Sequence, residues 1–361
     1  MTKISVTVAK VHRNENIAYI ASRVKALKSK LLTKGDFEKL IKMDIYSFIN
    51  FLEEKGFEYP EKGILDLLPS QWDVVEGIVD HNLRKTLNKV YSFSGGFVRK
   101  YINAYLIRYD VENLKTLIRG KLANESFENI KPLLLRPGCI LSMDDMERIY
   151  REKDIVDLIS ASKLFRVDEE LKNAIEEAKK EGKVLKIENV LDMKYYEFLR
   201  MFTLKNEGKM SKDILLKFAK LRGDITNILL LYKMKREGFK KEECTSFLLN
   251  FGLRLGRKTL EYLASAENLE DLDERIKNTP YGKVLEGVDK KETLFEVEER
   301  LKAYYYNYAK YMLHESPISI APVIAYIVMK ECESRNIKFI LRAKERGFDE
   351  EFIKGHVVML S

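Results

Sequence analysis

The sequence is poor in the residues that build metal sites and disulfide frameworks. Its 361 residues include 3 Cys, 7 Pro and 4 His, and Gln occurs once. Cys139, Cys244 and Cys332 show no CxxC spacing and have no histidine nearby, which argues against a zinc site and suits a reducing cytosol. No second metal ligand stands at a suitable distance from any histidine. We therefore expect no metal and no cofactor.

Long apolar runs and a strong charge imbalance are also missing. The longest apolar run, Ile318–Met329, contains Pro322 and falls short of the roughly 20 residues of a membrane-spanning helix. The net charge of +8 is modest, whereas a dedicated nucleic-acid binder concentrates more positive charge. The near absence of Gln among many Lys and Glu is typical of hyperthermophile proteins. What remains is a large globular chain of two or three domains.

Motifs for phosphate binding, dinucleotide binding and catalysis are missing as well. The sequence has no GxxxxGK[ST] loop, and Gly95-Gly96 lacks the strand–helix context of a dinucleotide site. The carboxylate pair Asp144-Asp145 stands before a helical run, where it favours a helix N-terminus. No nucleophile, base and oxyanion site can be assembled. The pattern argues against an enzyme that acts alone.

Helical periodicity is what the sequence does contain. Apolar residues recur at intervals close to 3.6 residues through most of the chain, as at Ile20 and Val24. The pattern includes helical stretches at Lys212–Leu221 and Leu229–Arg236. A strand signal occurs at Met1–Val11 alone, and hairpin turns are missing. The sequence predicts an all-α fold.

Three segments of the chain are similar to one another without gaps. Each reads acid-x-x-Asn-aliphatic-x-x-aliphatic-apolar-basic-x-Lys, and the asparagines are separated by 114 and 109 residues. A period of about 110 residues exceeds that of a solenoid repeat and suffices for a small helical domain. We predict three such domains, at 1–149 (with an N-terminal extension), 150–266 and 267–361. The repeated polar residues are Asp110, Asn113, Arg119 and Lys121; Asp224, Asn227, Lys233 and Lys235; Glu333, Asn336, Arg342 and Lys344.

The helical positions of these residues leave two interpretations open. The acid, the asparagine and the last lysine share one stripe of a helix, whereas the preceding basic residue points to the other side. A buried asparagine needs hydrogen-bond partners, so the acid and the asparagine could tie helices together within each domain. Alternatively, the basic residues line a common surface around a pseudo-threefold axis.

Two further stretches are candidates for binding. Arg23, Lys25, Lys28 and Lys30 form a basic patch, which is either a solvated helix face or a contact for anionic headgroups or an acidic partner. A tyrosine band favours packing between helices or an interface. Its members are Tyr304, Tyr305, Tyr306, Tyr308 and Tyr311.

The same residues carry a family resemblance. Asp110–Lys121, Pro322–Glu345 and Ser22–Leu32 resemble segments of the C subunit of archaeal and bacterial V/A-type ATP synthases. That family includes the d subunit of the eukaryotic vacuolar ATPase. With the triplication, the resemblance covers essentially the whole chain, although Gly63–Ser94 carries no matched motif and has no assigned role.

The resemblance implies an all-helical, funnel-shaped protein of three similar domains around a pseudo-threefold axis. It implies a non-catalytic rotor subunit, peripheral to the cytoplasmic face of the cell membrane. Its partners would be the D and F subunits of the central stalk and the membrane proteolipid ring, with no nucleic acid. It would link ATP synthesis or hydrolysis to proton or sodium transport. The alternative is a free-standing helical adaptor or scaffold, and a metal-free enzyme is a more distant one.

Overall fold

The computed structural model describes residues 17–59, 70–134, 141–181, 184–205, 209–288 and 294–358. Within these ranges the regular structure is helical and no strand occurs, which confirms the all-α prediction. Met1–Val11 and Cys139 lie outside the described residues. None of the described helices combines the length and the apolar content that crossing a bilayer requires. No group of three or more described His, Cys, Asp or Glu side chains is placed to hold a metal ion.

The described part of the chain forms seventeen α-helices, which we number in chain order. They are α1 Ile17–Lys28, α2 Lys34–Lys42, α3 Ile45–Glu54, α4 Gln71–Phe93, α5 Gly96–Leu122, α6 Phe127–Ile130, α7 Met143–Tyr150, α8 Ile155–Ser162, α9 Glu169–Glu181, α10 Leu185–Lys205, α11 Lys209–Arg236, α12 Lys241–Phe247, α13 Arg257–Ala264, α14 Leu269–Lys277, α15 Phe295–Glu315, α16 Ala321–Glu345 and α17 Glu350–His356. A short 3-10 turn, Lys131–Leu133, follows α6.

The chain divides into two compact units. Unit 1 contains the described residues of Asn103–Lys302, and unit 2 contains those before Asn103 and after Lys302. In unit 1, α10 packs against α9 and α11, and α11 also packs against α13 and α14. Side chains such as Phe218 and Tyr232, fully buried on α11, form part of this core. Burying large apolar side chains on several faces of α11 is what stabilises the unit.

Unit 2 is organised around α16, which packs against α1, α2, α4 and α17. Pro322 stands in its first turn, where proline leaves no helical hydrogen bond unmade. Residues on all sides of α16 are buried, and Ile337, Ile340 and Leu341 join one apolar cluster with α2, α3 and α4. A helix that is buried all round needs partners all round. Most of these partners come from the N-terminal part of the sequence.

The predicted helical stretches Lys212–Leu221 and Leu229–Arg236 are both helical and belong to a single helix, because α11 runs without a break through Gly223. At this glycine the backbone of the loop before α13 comes very close to the backbone of α11. A Cβ at residue 223 would lie 2.1 Å from the carbonyl oxygen of Phe251, in the loop before α13. A Cβ at residue 252 would likewise lie 2.3 Å from Oδ1 of Asp224. Both positions therefore need glycine so that the loop can pack onto α11.

Substituting Gly223→Ala tests this close approach. The added methyl meets a backbone carbonyl that cannot turn aside, so we expect a loss of about 1–3 kcal/mol in the free energy of unfolding. Gly355→Ala is the control, because nothing lies within 4 Å of a Cβ at that helical position. There we expect no loss and up to about 1 kcal/mol of stabilisation. Chemical denaturation followed by circular dichroism measures both, and equal effects would contradict the packing argument.

Candidate functional site

Each copy of the repeated motif lies in a long helix. The first is in α5, the second in α11 and the third in α16. The acid and the asparagine of all three copies are almost completely buried. A buried carboxylate or amide is costly unless hydrogen bonds replace its water, so the partners of these groups define the site.

The asparagines of the second and third copies bind the backbone at two points. Asn227 accepts a hydrogen bond from the N–H of Leu249 and donates one to its carbonyl, both at 2.8 Å. Asn336 does the same with Val358, donating at 2.7 Å and accepting at 3.2 Å. In both copies the bound residue lies 22 positions after the asparagine. Each asparagine thus acts as a backbone clip, closing the chain that follows onto the long helix.

The acids hold the start of a short helix. Asp224 accepts from the N–H groups of residues 253, 254 and 255 at 2.8–3.3 Å and from the hydroxyl of Tyr281 at 2.7 Å. Asp110 accepts from the N–H of Leu141 at 3.2 Å. Leu141 and Leu255 each precede the N-cap residue of a short helix, α7 and α13, and both lie 31 residues after the acid. Burial outweighs the hydrogen bonds of Asp224 and raises the pKa of its carboxyl.

The third acid has the same kind of partner, drawn from the N-terminal part of the chain. Glu333 accepts from the N–H of Leu32 at 2.7 Å, across 301 residues. Leu32 precedes Thr33, the N-cap of α2, so it occupies the place that Leu141 and Leu255 hold in the other copies. The helix pair α2–α3 therefore completes the third copy as α7–α8 and α13–α14 complete the first two. The shared leucine before each N-cap was a sequence signal that the repeat search missed.

The last lysines of the motif bind carbonyl oxygens. Lys121 donates to the carbonyl of Tyr150, at the end of α7, at 3.0 Å, and to that of Glu152. Lys344 donates to the carbonyl of Ile41, near the end of α2, and burial lowers the pKa of this lysine. Lys235 instead donates to the carbonyl of Phe239 at 3.1 Å. Cations at helix C-termini are favourable, so two of the copies also fix the far end of the short helix.

The remaining basic residue of each copy keeps part of its side chain in solvent. Arg119 pairs with Glu188 of α10 at 2.7 Å and is 49% exposed. Arg342 pairs with Asp73 and Glu76 of α4 at 2.7 and 2.6 Å and is 37% exposed. Lys233 is exposed, and no ion pair is recorded for it among the described residues. This gives a role to α4, which the sequence search had left without one.

The basic patch and the tyrosine band each contain some residues that pack inside the protein and some that are exposed to solvent. The Arg23 guanidinium lies 4.5 Å from the ring centroid of Phe93, and its Nη1 donates to the Tyr19 hydroxyl at 2.8 Å. Lys25 and Lys30 are exposed, and Lys28 is partly so. In the tyrosine band, Tyr305 and Tyr306 are buried, whereas Tyr311 is exposed.

Comparison with known proteins identifies the family. The family model described as ATP synthase (C/AC39) subunit matches residues 20–356. The chain belongs to this family. It is 31% identical to the C subunit of the A-type ATP synthase of Methanosarcina barkeri over 356 residues, covering 97% of this chain and 95% of that protein. The Methanosarcina acetivorans C subunit is 33% identical over 96% of this chain and 93% of its own length. For the Methanocaldococcus jannaschii protein of the same name the identity is 25%, over 95% of this chain and 86% of that protein.

The match confirms the resemblance that the sequence motifs indicated. Residues 20–356 include all three copies of the motif and the α2–α3 pair that completes the third. The clips and ion pairs described above are therefore the local architecture of a C/AC39 family member. They also give measurable predictions for it.

Replacing Asn227 with leucine removes one clip while keeping a side chain of similar size. Each of the two backbone groups of Leu249 left unpaired costs about 1–3 kcal/mol, so we expect at least about 2 kcal/mol of lost stability. Asn307→Leu on the exposed face of α15 is the matched control, with an expected change within about 0.5 kcal/mol. Denaturant titration compares the two, and an Asn227→Leu protein as stable as the control would refute the clip.

Acid should weaken the Arg342 network through Asp73. Hydrogen bonds from the Ser70 hydroxyl and from Arg342 lower the pKa of the Asp73 carboxyl. Its contribution to stability is therefore complete above the ordinary carboxyl pKa of about 3.9 and is lost as the pH falls through the lower native value. We expect Asp73→Asn to be less stable than wild type at about pH 6 and the difference to shrink towards about pH 3. A difference between the two urea midpoints that stays constant with pH would contradict this assignment.

Proposed function

We propose that this chain is a non-catalytic coupling subunit of an A-type ATP synthase. In this proposal it joins the D and F subunits of the central stalk to the membrane proteolipid ring, peripherally at the cytoplasmic face. ATP synthesis or hydrolysis in the soluble head is thereby linked to proton or sodium movement. The observation that carries the proposal is the nearly full-length similarity to proteins named as the C subunit of A-type ATP synthases.

The clips support a mechanical role. A part that transmits torque must not yield between the point where force enters and the point where it leaves. In each copy a buried acid ties the long helix to the start of a short helix, and in two copies a buried asparagine closes the chain that follows. Buried and satisfied polar networks rigidify a protein because opening them exposes unpaired groups. The three-domain division at 1–149, 150–266 and 267–361 remains a proposal about the sequence repeat, whereas the short helices that complete each copy cross these boundaries.

The half-exposed basic residues are the proposed contact set for the stalk. Arg119, Lys233 and Arg342 occupy equivalent motif positions and carry a permanent or near-permanent positive charge. Arg119 is held in place by Glu188, so less conformational entropy is lost when a partner binds. Arg342 already pairs with three carboxylates, Asp73, Glu76 and Glu345, so Arg119 and Lys233 supply most of the positive charge of the set. A preorganised set of cations favours a partner surface with acidic side chains.

A charge swap separates partner binding from internal pairing. Arg119→Glu alone should weaken binding to purified D–F stalk about tenfold or more, because it repels an acidic partner and breaks the pair with Glu188. Arg119→Glu with Glu188→Arg restores the internal pair with reversed polarity. We expect this double variant to recover thermal stability but not stalk affinity. Lys180→Glu on α9 is the matched control for charge, with affinity unchanged.

The binding assay distinguishes the alternatives. Affinity fully restored in the double variant would show that Arg119 acts only within the fold. A folded wild-type chain that binds neither the D–F stalk nor the detergent-solubilised proteolipid ring would refute the coupling role and favour the adaptor.

A further inference from the structure

A cavity of about 260 Å³ lies in unit 1, beside the C-terminal end of α10. Its walls are the last two turns of α10, one face of α11 and the loop 250–256 that precedes α13. The motif contacts described above lie outside it, except that Asp224 holds the loop. The coupling role assigns it no ligand.

The charge of this cavity favours an anion. Arg200 and Lys220 both line it, and no carboxylate stands among the described residues of its lining. Arg200 forms an exposed ion pair with Glu197 of its own helix at 3.7 Å, which is too long for a hydrogen bond. For Lys220 no ion pair is recorded in the described part of the chain, and its Nζ lies 5.8 Å from the ring centroid of Phe251. Two cations converging on a concave surface raise the local concentration of anions.

One residue of the cavity lining, and two others near the adjoining ends of α10 and α11, are exposed apolar side chains. Leu204, which lines it, is 67% exposed, and Met201 in the same turn of α10 is 37% exposed. Met210, at the start of α11, is 60% exposed. We call these three residues the apolar tip. A cationic cavity joined to an apolar tip matches an amphiphile whose head is anionic and whose tail is apolar.

The volume of the cavity and its preformed wall indicate which kind of anionic headgroup it can bind. At about 260 Å³ it lies below the roughly 300–1,000 Å³ of pockets for drug-sized ligands. This favours a phosphate headgroup over a nucleotide. Asp224 pins the N–H groups of residues 253–255, and Gly223 and Gly252 let the loop rest directly on α11. One wall is therefore formed before any ligand arrives, which reduces the cost of binding.

We propose that this cavity binds the phosphate headgroup of an anionic phospholipid while the apolar tip contacts the bilayer interface. Arg200 and Lys220 neutralise the phosphate, and the side-chain N–H groups of Asn250 supply a further polar contact. Met201, Leu204 and Met210 enter the boundary between headgroups and acyl chains. The proposal adds a lipid ligand to a protein proposed to be peripheral, and it does not depend on the stalk contact.

Vesicle sedimentation of the purified full chain tests the proposal. We expect binding to phosphatidylcholine vesicles that contain phosphatidylglycerol and at least about tenfold weaker binding to pure phosphatidylcholine vesicles. Arg200→Glu with Lys220→Glu should lose this preference. Lys180→Glu with Lys258→Glu, an equal charge change at exposed sites outside the cavity, should retain most of it. Leu204→Ser with Met210→Ser should weaken vesicle binding without altering the circular dichroism spectrum.

The outcomes that overturn the proposal are distinct. Equal binding to both kinds of vesicle would remove the role of the headgroup charge. Equal losses in the cavity variant and its control would mean that net charge alone attracts the chain. If inorganic phosphate raised the melting temperature through Arg200 and Lys220 but vesicles did not bind, the site would take free phosphate and the lipid assignment would be wrong.

Discussion

A buried acid in the middle of a long helix is the constraint on which the rest of this structure depends. Its carboxylate has lost water and must be compensated by hydrogen bonds, which a helix interior cannot provide. The donors are backbone N–H groups of the segment that leads into a short helix, and a buried N–H group needs a partner as well. Each such contact therefore provides a hydrogen bond to a buried carboxylate and to a backbone N–H group at once, as between Asp224 and residues 253–255. The asparagine one turn further on then closes the chain between the two helices.

The third copy shows how strictly this requirement holds. Its short helix is not drawn from the residues that follow the motif, as in the first two copies, but from the N-terminal part of the chain. Leu32 provides the backbone donor for Glu333, and Lys344 reaches the other end of the same short helix at Ile41. The repeat is thus a pattern of contacts, and the segments that make these contacts need not follow one another in the sequence. In every copy the buried acid finds its backbone donor before a short helix, whichever segment supplies that helix, and this supports the proposed mechanical role.

Much of the fold could be predicted from local patterns in the sequence. The helical class followed from apolar spacing, and the burial of Asn227 and Asn336 was foreseeable from their place beside aliphatic residues. Contacts across 301 residues were not foreseeable, because periodicity reports only neighbours along the chain. The predicted helices Lys212–Leu221 and Leu229–Arg236 left the residues between them unassigned, and the structure continues α11 through them. The reason for Gly223 in this helix, the close packing of the Phe251 carbonyl, involves a distant segment and is not visible in local sequence. The cavity beside α10 was equally invisible, since three separate segments form it.

The helices that pack against α16 come mostly from the N-terminal part of the sequence, and this affects the order in which the protein can fold during synthesis. The described part of unit 1 comes from one continuous stretch, so its contacts become available while the ribosome is still at work. The helices α1, α2 and α4, in contrast, leave the ribosome early and lack the helix they pack against until α16 is translated. Their apolar faces stay uncovered throughout that interval. The N-terminal helices are therefore synthesised first but reach their final packing only when α16 is available.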